Sequence, residues 1–290
     1  MTKQQQIKKY FNQKEKLSLK NKNYLAQVKK FTQDFLENDI TSNTLIKQNK
    51  IAKAIIFTKE QGIVAGLEEA IWFLNYHKIK TKKFRKDGDR IKKEEVLMEL
   101  KGKIKDIIRI ERVVLNLLQR MSGIATETNN LAKKIKNRAL ICSTRKTLWG
   151  LLDKKAVAVG GGGTHRLNLS DFILIKDNHI KFAGHKKIDK KAELLNKRKI
   201  FWEIEAKNKS EAFWAATLQP SVLMFDNFKA RKIKKIIPKI QKHFSQMIFE
   251  ASGGITEKNI KKYSKSGVDI LSCGSLTHSS RALDISLDII

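Results

Sequence analysis

Basic side chains follow two short apolar runs near the middle of this 290-residue chain. The runs are residues 139–142 and 172–175, and their length and β-branched content are typical of buried strands. Four consecutive glycines, 160–163, lie between the two runs. The side chains that follow these three segments are Thr144, Arg145, Lys146, His165, Arg166 and Lys176.

This cluster of cations predicts an anion-binding site. Cations that meet at one end of a sheet repel one another unless an anion lies between them. Arginine suits carboxylates and phosphates because its planar fork makes paired hydrogen bonds. Chance is the opposing interpretation, since the chain has 60 Lys and Arg residues, and Lys154 and Lys155 are interpreted in that way, as a solvated face. Cations at strand ends beside a glycine run favour the anion site.

Two acidic residues, Glu205 and Asp226, follow later apolar runs. Carboxylates in an anion site usually bind a metal ion or ribose hydroxyls, and Mg²⁺ prefers one or two carboxylates together with substrate phosphates. The turn 252–254 precedes a predicted helix, and Gly274 follows the last run, so their backbone N–H groups are suited to phosphate. Cations, acids and glycine turns together indicate a phosphorylated sugar and an acidic aromatic co-substrate.

Apolar strands alternate with helical segments from residue 139 onward. The expected strands are 139–143, 172–176, 201–204, 221–225, 247–250 and 269–273, and the expected helices include 210–218, 230–236 and 257–266. This alternation predicts a parallel sheet. A polar, charged or glycine residue follows each strand. Because the active site of a parallel βα barrel lies at the carboxyl ends of its strands, we expect a barrel.

The earlier part of the chain mixes helix and strand without strict alternation, which predicts a small α+β domain. A helical stripe is expected at Tyr24, Leu25, Val28, Phe31 and Phe35. Strands are expected at 51–57 and 96–100, with a helix at 67–76. A long amphipathic helix is expected from Arg109 to residue 135, and Gly123 within it marks either a kink or a close packing contact.

Composition limits the function only loosely. The formal net charge of +31 predicts non-specific attraction to nucleic acid, but the excess is mostly lysine spread along the chain, without a zinc-finger or RNA-binding signature. Cys142 and Cys273 lie in or beside apolar runs and are expected to be small core residues. With no signal peptide and no apolar run of membrane-spanning length, we expect a soluble, cytoplasmic protein with no membrane partner.

Several motifs, in consistent order, resemble those of the quinolinate phosphoribosyltransferase family, the decarboxylating enzymes of NAD synthesis. The resemblance covers the chain from about residue 20 to its C-terminus. The motifs are Glu111-Arg112 with Leu115-Asn116, Ser122-Gly123-Ile124-Ala125-Thr126, Thr144-Arg145-Lys146-Thr147, Gly160-Gly161-Gly162 with His165-Arg166, Lys176-Asp177-Asn178-His179, Glu203-Ile204-Glu205, Asp226-Asn227, Glu250-Ala251-Ser252-Gly253-Gly254-Ile255 and Gly274-Ser275-Leu276-Thr277-His278-Ser279.

The resemblance implies an α/β fold with two domains. These are an N-terminal α/β sandwich, residues 1–109 joined by 276–290, and an incomplete parallel α/β barrel of the seven-stranded type, residues 110–275. The implied reaction transfers a phosphoribosyl group from phosphoribosyl pyrophosphate to quinolinate with decarboxylation, giving nicotinate mononucleotide, pyrophosphate and CO₂. The resemblance also implies Mg²⁺ but no organic cofactor, no specific nucleic acid, and a homodimer or a hexamer of dimers whose sites are completed by neighbouring subunits.

Roles for site residues follow from the same resemblance. The residues expected to bind the two quinolinate carboxylates are Arg112, Arg145, His165, Arg166 and Lys176, and Thr144 is counted among the substrate-binding residues. Lys146 would lie near the pyrophosphate, while Glu205 and Asp226 would bind ribose hydroxyls and Mg²⁺, directly or indirectly. The ribose 5′-phosphate is expected at Ser252, Gly253, Gly254 and Gly274. Lys59, before Glu60-Gln61-Gly62, would reach in from the neighbouring subunit.

Three departures from the family pattern concern side-chain geometry and loops. Lys59 stands where arginine is usual, so the charge is kept and the planar fork is lost. In the loop after residue 146, Trp149 replaces a proline, Leu152 stands where an arginine would be, and the loop is about two residues shorter. Thr164 replaces the asparagine that precedes the His-Arg pair.

Two alternatives stay open. One is a sister phosphoribosyltransferase acting on another pyridine or pyrimidine acid, against which the motif 176–179 argues by resemblance. The other is a basic nucleic-acid-binding protein that kept the fold and lost catalysis. Glu205 and Asp226 argue against it, because acidic side chains weaken binding to a phosphate backbone.

Overall fold

The computed structural model describes residues 1–33 and 39–290. Phe35 of the expected helical stripe lies outside the described residues. The chain forms two compact units, each assembled from separate stretches of sequence. The parallel-sheet unit comprises residues 1–13, 130–146 and 162–278, and the antiparallel-sheet unit comprises 14–129, 147–161 and 279–290, each within the described ranges. The predicted domain boundaries at 109/110 and 275/276 stay a prediction.

The described elements are twelve strands and twelve α-helices. The strands are β1 Ile51–Thr58, β2 Gly62–Ile63, β3 Lys80–Lys83, β4 Arg90–Ile91, β5 Val96–Lys103, β6 Leu140–Cys142, β7 Ile173–Ile175, β8 Trp202–Ala206, β9 Val222–Asp226, β10 Ile248–Ser252, β11 Ile270–Ser272 and β12 Ile285–Ile289. The helices are α1 Lys3–Phe11, α2 Lys22–Gln33, α3 Ile40–Leu45, α4 Leu67–Tyr76, α5 Ile104–Lys134, α6 Leu151–Val159, α7 Asp177–Ala183, α8 His185–Lys197, α9 Lys209–Thr217, α10 Ala230–Gln241, α11 Ile260–Tyr263 and α12 Ser275–His278. None of these described helices is both long and apolar enough to cross a bilayer.

The antiparallel-sheet unit is built on a four-stranded sheet in the order β12-β1-β5-β3. The long helix α5 runs for 31 residues without interruption at Gly123. A Cβ atom at Gly123 would lie 2.0 Å from the carbonyl oxygen of Arg281, so this glycine permits a close backbone approach. Of the two interpretations of Gly123, the close packing contact is the one that the structure shows.

The prediction that Lys154 and Lys155 form a solvated face is wrong, because both side chains are buried in the antiparallel-sheet unit. Lys155 Nζ lies 2.6 Å from Glu68 Oε2 and 2.6 Å from Glu69 Oε1. The hydroxyl of Tyr24 donates to the same Glu69 oxygen at 2.9 Å. These residues and Asp87, at 3.9 Å from Lys155 Nζ, form what we call the Lys155 cluster. Carboxylates from a distant part of the sequence thus make burial of this ammonium possible.

The shortened loop that follows residue 146 is fixed by a buried carboxylate in the antiparallel-sheet unit. Asp153 Oδ2 accepts hydrogen bonds from the backbone N–H groups of Leu148, at 2.9 Å, and Trp149, at 3.0 Å. Arg120 binds both oxygens of Asp153, at 2.8 and 2.9 Å, and its guanidinium lies 4.9 Å from the Trp149 ring centroid. Tryptophan therefore takes part in an anchored turn at the position where the family pattern has proline.

The parallel-sheet unit confirms the predicted α/β class. Six strands pair in parallel in the order β6-β11-β10-β9-β8-β7, and all six were expected from the apolar runs. Beyond the five pairings of this sheet, a sixth parallel pairing among the described residues is the isolated bridge between Cys142 and Gly163. Closure of this sheet into a barrel stays a prediction.

A buried apolar cluster of the parallel-sheet unit lies mostly at the amino ends of the strands, although Cys142 ends β6. Its buried residues are Ile7, Phe11, Cys142, Phe172, Phe201, Val222, Ile248 and Ile270. Two of them come from α1, whose sequence is mostly polar but whose Ile7 and Phe11 lie one helical turn apart on the same face. Both cysteines are buried and unbridged, which confirms that they are small core residues.

Candidate active site

Strand register places most of the chemistry on one face of the parallel sheet. Glu205 lies opposite Met224, which lies opposite Glu250. One step of two residues further along, Asp226 pairs with Ser252, and Ser252 pairs with Ser272. Because side chains alternate between faces, residues two apart share a face, and paired residues share it too. The same face carries the apolar core at its amino end and polar residues at its carboxyl end.

A cavity of about 580 Å³ opens at the carboxyl end of this face. We call it the central cavity, and its volume falls within the range of about 300–1,000 Å³ found for small-molecule sites. The predicted site residues that line it are Thr144, Arg145, Lys146, His165, Arg166, Lys176, Glu205, Asp226, Ser252, Gly253 and Gly254. Eleven residues chosen from the sequence thus surround a single cavity.

Three predicted site residues do not line the central cavity. Gly274 lies close by, since a Cβ there would be 3.6 Å from Lys146 Cδ. Arg112 and Lys59 belong to the antiparallel-sheet unit, where both side chains are exposed. Arg112 lies 3.6 Å from Glu111.

The cationic side of the cavity contains two arginines that interact with each other. Burial, and then the positive charge of Arg145, lower the pKa of Arg166. Arginine nevertheless stays charged, so this pair concentrates positive charge in a partly desolvated place. A carboxylate or phosphate between the two guanidinium groups would relieve the repulsion and gain paired hydrogen bonds.

The acidic side of the cavity contains Glu205 and Asp226, at the ends of neighbouring strands. Lys176 Nζ lies 3.0 Å from Glu205 Oε2, so this cation is paired with an acid of the site. Asp226 Oδ2 accepts a hydrogen bond from the side-chain amide of Asn227 at 2.8 Å. Glu205 is therefore ion-paired with a lysine, while Asp226, at the end of its strand, is hydrogen-bonded to an amide.

His165 connects the cavity to a buried acidic pair to which the sequence analysis gave no role. Its Nε2 lies 3.3 Å from Glu250 Oε2 and 3.5 Å from Glu203 Oε2, and both glutamates have no exposed surface. The carbonyl oxygen of Phe11 accepts from the N–H groups of Thr164, at 2.7 Å, and His165, at 3.3 Å, so α1 helps to position this segment. Glu203 could have been found from its spacing, since it lies two residues before Glu205 and shares its face.

The protonation of this triad follows from burial and proximity. Burial lowers the pKa of His165, but Glu250 and Glu203 raise it, and the net result is a raised pKa of about 9. Burial and then Glu250 raise the pKa of Glu203 to about 7. The N–H of Arg166 donates to His165 Nδ1 at 2.8 Å, which requires an unprotonated Nδ1, whereas the raised pKa favours a doubly protonated ring. Both descriptions place a proton on Nε2, facing the carboxylates.

The side chains of His165, Glu203 and Glu250 also offer ligand atoms within 4.8 Å of one another, a spacing that a bound cation could bridge.

A tight glycine turn forms another wall of the cavity. Gly253 and Gly254 have φ angles of +88° and +60°, which favour glycine. A Cβ at Gly253 would lie 2.2 Å from Asn227 Oδ1, so any side chain there would displace the residue after Asp226. A Cβ at Gly254 would meet no atom within 4 Å, so there is open space beside this turn, and backbone N–H groups in such turns are suited to phosphate oxygens.

Comparisons with known proteins agree with these features. Residues 39–122 match the N-terminal domain, and residues 124–288 the C-terminal domain, of the family described as "Quinolinate phosphoribosyl transferase". A Methanocaldococcus jannaschii protein named "Probable nicotinate-nucleotide pyrophosphorylase (carboxylating)" is 41% identical over 263 residues, which cover 87% of this chain and 92% of the relative. A Nicotiana tabacum protein named "Quinolinate phosphoribosyltransferase (decarboxylating) 2a, mitochondrial" is 37% identical over 275 residues, which cover 87% of this chain and 77% of the relative.

Solved structures give the same result. The nicotinate-nucleotide pyrophosphorylase from Francisella tularensis has a TM-score of 0.81 and 31% identity, and the match covers 92% of this chain and 95% of that chain. A Streptococcus pyogenes structure titled NadC has a TM-score of 0.82 and 31% identity, covering 92% of this chain and 97% of that one. Two adjoining domain matches and relatives that align over most of the chain lead to one conclusion: this chain belongs to the quinolinate phosphoribosyltransferase family.

Proposed function

We propose that this chain transfers a phosphoribosyl group from phosphoribosyl pyrophosphate to quinolinate, with decarboxylation, in NAD biosynthesis. The products are nicotinate mononucleotide, pyrophosphate and CO₂. The observation that carries the proposal is the central cavity, which has an arginine pair, an acid pair and a glycine turn on its walls. Each group matches one part of the two substrates. We also propose that the reaction takes place in the cytoplasm.

Quinolinate fits the cationic side of the cavity. Its two adjacent carboxylates would lie against Arg145 and Arg166, where each planar fork can make paired hydrogen bonds. The ring of His165, which lines the same cavity, would be held in place by the buried Glu203 and Glu250. Lys176 would exchange part of its contact with Glu205 for a substrate carboxylate, which would free the acid for the sugar.

The acid pair suits a ribose and a magnesium ion. Glu205 and Asp226 supply two carboxylates at neighbouring strand ends, and Mg²⁺ prefers one or two carboxylates plus phosphate oxygens of the substrate. The donor set therefore fits this ion, with Glu205 and Asp226 holding it directly or through water. When bound, Mg²⁺ would neutralise charge on the pyrophosphate of the substrate.

The reaction would proceed by positioning and charge stabilisation. Lys146 would lie beside the pyrophosphate and stabilise the negative charge that develops as it leaves the anomeric carbon. The acids would hold the ribose hydroxyls while the pyridine nitrogen attacks the cationic sugar carbon. The ring, now positively charged at nitrogen, stabilises the electron pair that stays on the adjacent carbon when its carboxylate leaves as CO₂, and a proton from solvent then takes the place of the carboxylate. Holding both reactants in one cavity supplies much of the acceleration.

We further propose that the protein is a homodimer, or a larger assembly of dimers, with Lys59 reaching the site of the neighbouring subunit. Support comes from the resemblance and from the exposure of the Lys59 side chain. Mixing the inactive variants Lys59→Ala and Lys146→Ala under subunit exchange should restore part of the activity, since a mixed dimer can contain one intact site. Two folded, inactive variants that restore nothing on mixing would contradict a shared site.

The test of the proposed function is direct formation of nicotinate mononucleotide. Purified protein with quinolinate, phosphoribosyl pyrophosphate and MgCl₂ should release equal amounts of nucleotide and CO₂. Arg145→Met should lower turnover at least about tenfold, because Arg145 is exposed and a hydrogen bond to a charged group contributes about 1.5–3 kcal/mol. Arg231→Met is the matched control, since Arg231 is exposed on α10 and does not line the cavity. Absence of product, or equal losses in the two variants, would refute the assignment.

A further inference from the structure

A second cavity, of about 420 Å³, lies between residues of α9 and α10 in the parallel-sheet unit. Six of its lining residues are lysines, and we call it the lysine cavity. They are Lys207, Lys209, Lys229, Lys232, Lys235 and Lys239. Three of them recur at steps of three and four residues along α10, which places them on one side of that helix. Lysine is abundant in this chain, but alignment along a concave wall is more specific than abundance.

The charge of the lysine cavity is largely unbalanced. No acidic side chain lines it among the residues that the structure describes. Lys207 pairs with Asp177, whereas the other five lysines have no ion-pair partner in residues 1–33 and 39–290. Elsewhere in the same unit, the partly exposed Lys134 does pair with a carboxylate, at 2.6 Å from Glu257. Like charges gathered in a concavity raise its free energy and attract an anion of several charges.

Part of the lining of the lysine cavity is apolar. It consists of Phe213, Phe228 and Ile236, which we call the floor of the cavity. Phe228 is buried, and its ring lies 5.3 Å from that of Phe225, so it is fixed in place. An inorganic polyanion would leave this floor unused. A ligand with a flat heteroaromatic part could cover it, since bases stack on aromatic side chains.

We propose that the lysine cavity binds a nucleoside polyphosphate, with its base on the phenylalanine floor and its phosphates among the lysines. The volume falls within the range of about 300–1,000 Å³ typical of small-molecule sites. Two helices begin at the cavity, and no side chain caps the first turn of α10, so backbone N–H groups add to the positive potential. Lysine binds phosphate as a flexible point charge, without the fixed geometry that the arginines of the central cavity offer.

This site is additional to the proposed catalytic function. The two cavities share one lining residue, Asn227, and none of their cations. Asn227 follows Asp226 and contacts the glycine turn at Gly253. A ligand in the lysine cavity would thus contact a residue that also lines the acidic side of the central cavity. Because the cations of the two cavities differ, binding and turnover can be measured separately.

The test is a fluorescence titration with N-methylanthraniloyl adenosine triphosphate, in chelator so that the phosphates keep their charge. The double variant Lys232→Glu/Lys235→Glu should weaken binding at least about tenfold, because two attractive contacts become repulsive. Lys234→Glu/Lys242→Glu is the matched control, with the same change in net charge on lysines that do not line the cavity. The control should lose less than about threefold, through long-range screening alone.

Three more measurements separate the lysine cavity from the central cavity, from general charge attraction and from RNA binding. Arg145→Ala/Lys146→Ala should bind the nucleotide as the unmodified protein does, whereas loss of binding in that variant would place the ligand in the central cavity and overturn the proposal. Equal losses in both lysine double variants would show general electrostatic attraction, which also overturns it.

Competition identifies the ligand class. Inorganic tripolyphosphate should compete more weakly than the nucleotide. If single-stranded polyuridine competes and adenosine triphosphate does not, the surface binds RNA and the proposal is overturned.

Discussion

Replacement of Lys155 by methionine tests whether the Lys155 cluster is held by its single buried cation. The Lys155 side chain is 8% exposed, and its ammonium lies 2.6 Å from Glu69, whose side chain has no exposed surface. Methionine keeps most of the length of the side chain and removes the charge, leaving Glu69 and Asp87 without their cation. Breaking a buried pair in this way costs about 3–5 kcal/mol, which for a unit of this size corresponds to a melting temperature lower by on the order of 10 °C.

The loss should depend on pH, with a sign that the cluster fixes. Burial and then Glu69 raise the pKa of Asp87 to about 7, well above its ordinary value of about 3.9. A carboxyl group whose pKa is raised in the folded state binds more protons there, so its contribution to stability falls as the pH rises from about 4 to about 7. Removing Lys155 strengthens this effect, because its positive charge lowers the pKa of Asp87 in the unmodified protein. The deficit of Lys155→Met should therefore be small at pH 5 and largest near pH 8.

The assay is thermal unfolding of both proteins from pH 5 to pH 8, followed by tryptophan fluorescence. Lys134→Met is the matched control, since its ion pair with Glu257 has the same 2.6 Å separation but is exposed. Exposed pairs contribute little, so the control should unfold close to the unmodified protein at every pH. Equal shifts for the two variants, or a Lys155→Met deficit that does not change with pH, would refute the reasoning.

Three further predictions concern the central cavity and one glycine. Asp226→Ala should impair use of phosphoribosyl pyrophosphate more than binding of quinolinate, and unchanged turnover in this variant, or full activity in chelator, would remove the acid from the mechanism. Nicotinate, with one carboxylate, should react with a specificity constant on the order of a hundredfold lower than quinolinate, since unpaired buried cations are costly; comparable constants would show that the cations do not read the second carboxylate. In a helix with free space around it, Gly123→Ala would raise the free energy of unfolding by about 1 kcal/mol. Here the Arg281 carbonyl oxygen would lie 2.0 Å from the new Cβ, so urea unfolding should show a free energy of unfolding lower by about 1–3 kcal/mol. A gain in stability would mean that the backbone at residue 281 yields freely.

The strands of the parallel sheet could be predicted because burial on both faces leaves a continuous apolar run. β3 could not, because its sequence is Lys-Thr-Lys-Lys and it lies at the edge of its sheet, where charged side chains are tolerated. Helix α1 lies in a stretch that is polar and helix-prone by composition, but its packing could not be predicted, since only Ile7 and Phe11 of its nine residues are buried. In both elements the burial comes from residues that are distant in sequence.

Site residues that follow a strand could be predicted from the sequence. Site residues whose role depends on partners distant in sequence could not. Arg145, Lys176 and Asp226 are visible as polar residues after apolar runs. Glu250 lies within a run, and its role beside His165 emerges from register between strands far apart in sequence. Lys155 was misinterpreted because nothing near it in sequence shows that carboxylates 86 and 87 positions away will meet it.

The hydrogen bonds from Thr164 and His165 to the carbonyl of Phe11 have a consequence for synthesis of the chain. Helix α1 is translated well before its partners, which lie 153 residues later. During that interval Phe11 has no core to enter, and the whole antiparallel sheet except β12 is translated in between. Contacts of such long separation form slowly. A truncated protein that starts at residue 39, where the family match begins, should therefore lose the positioning of His165 although every motif residue is present.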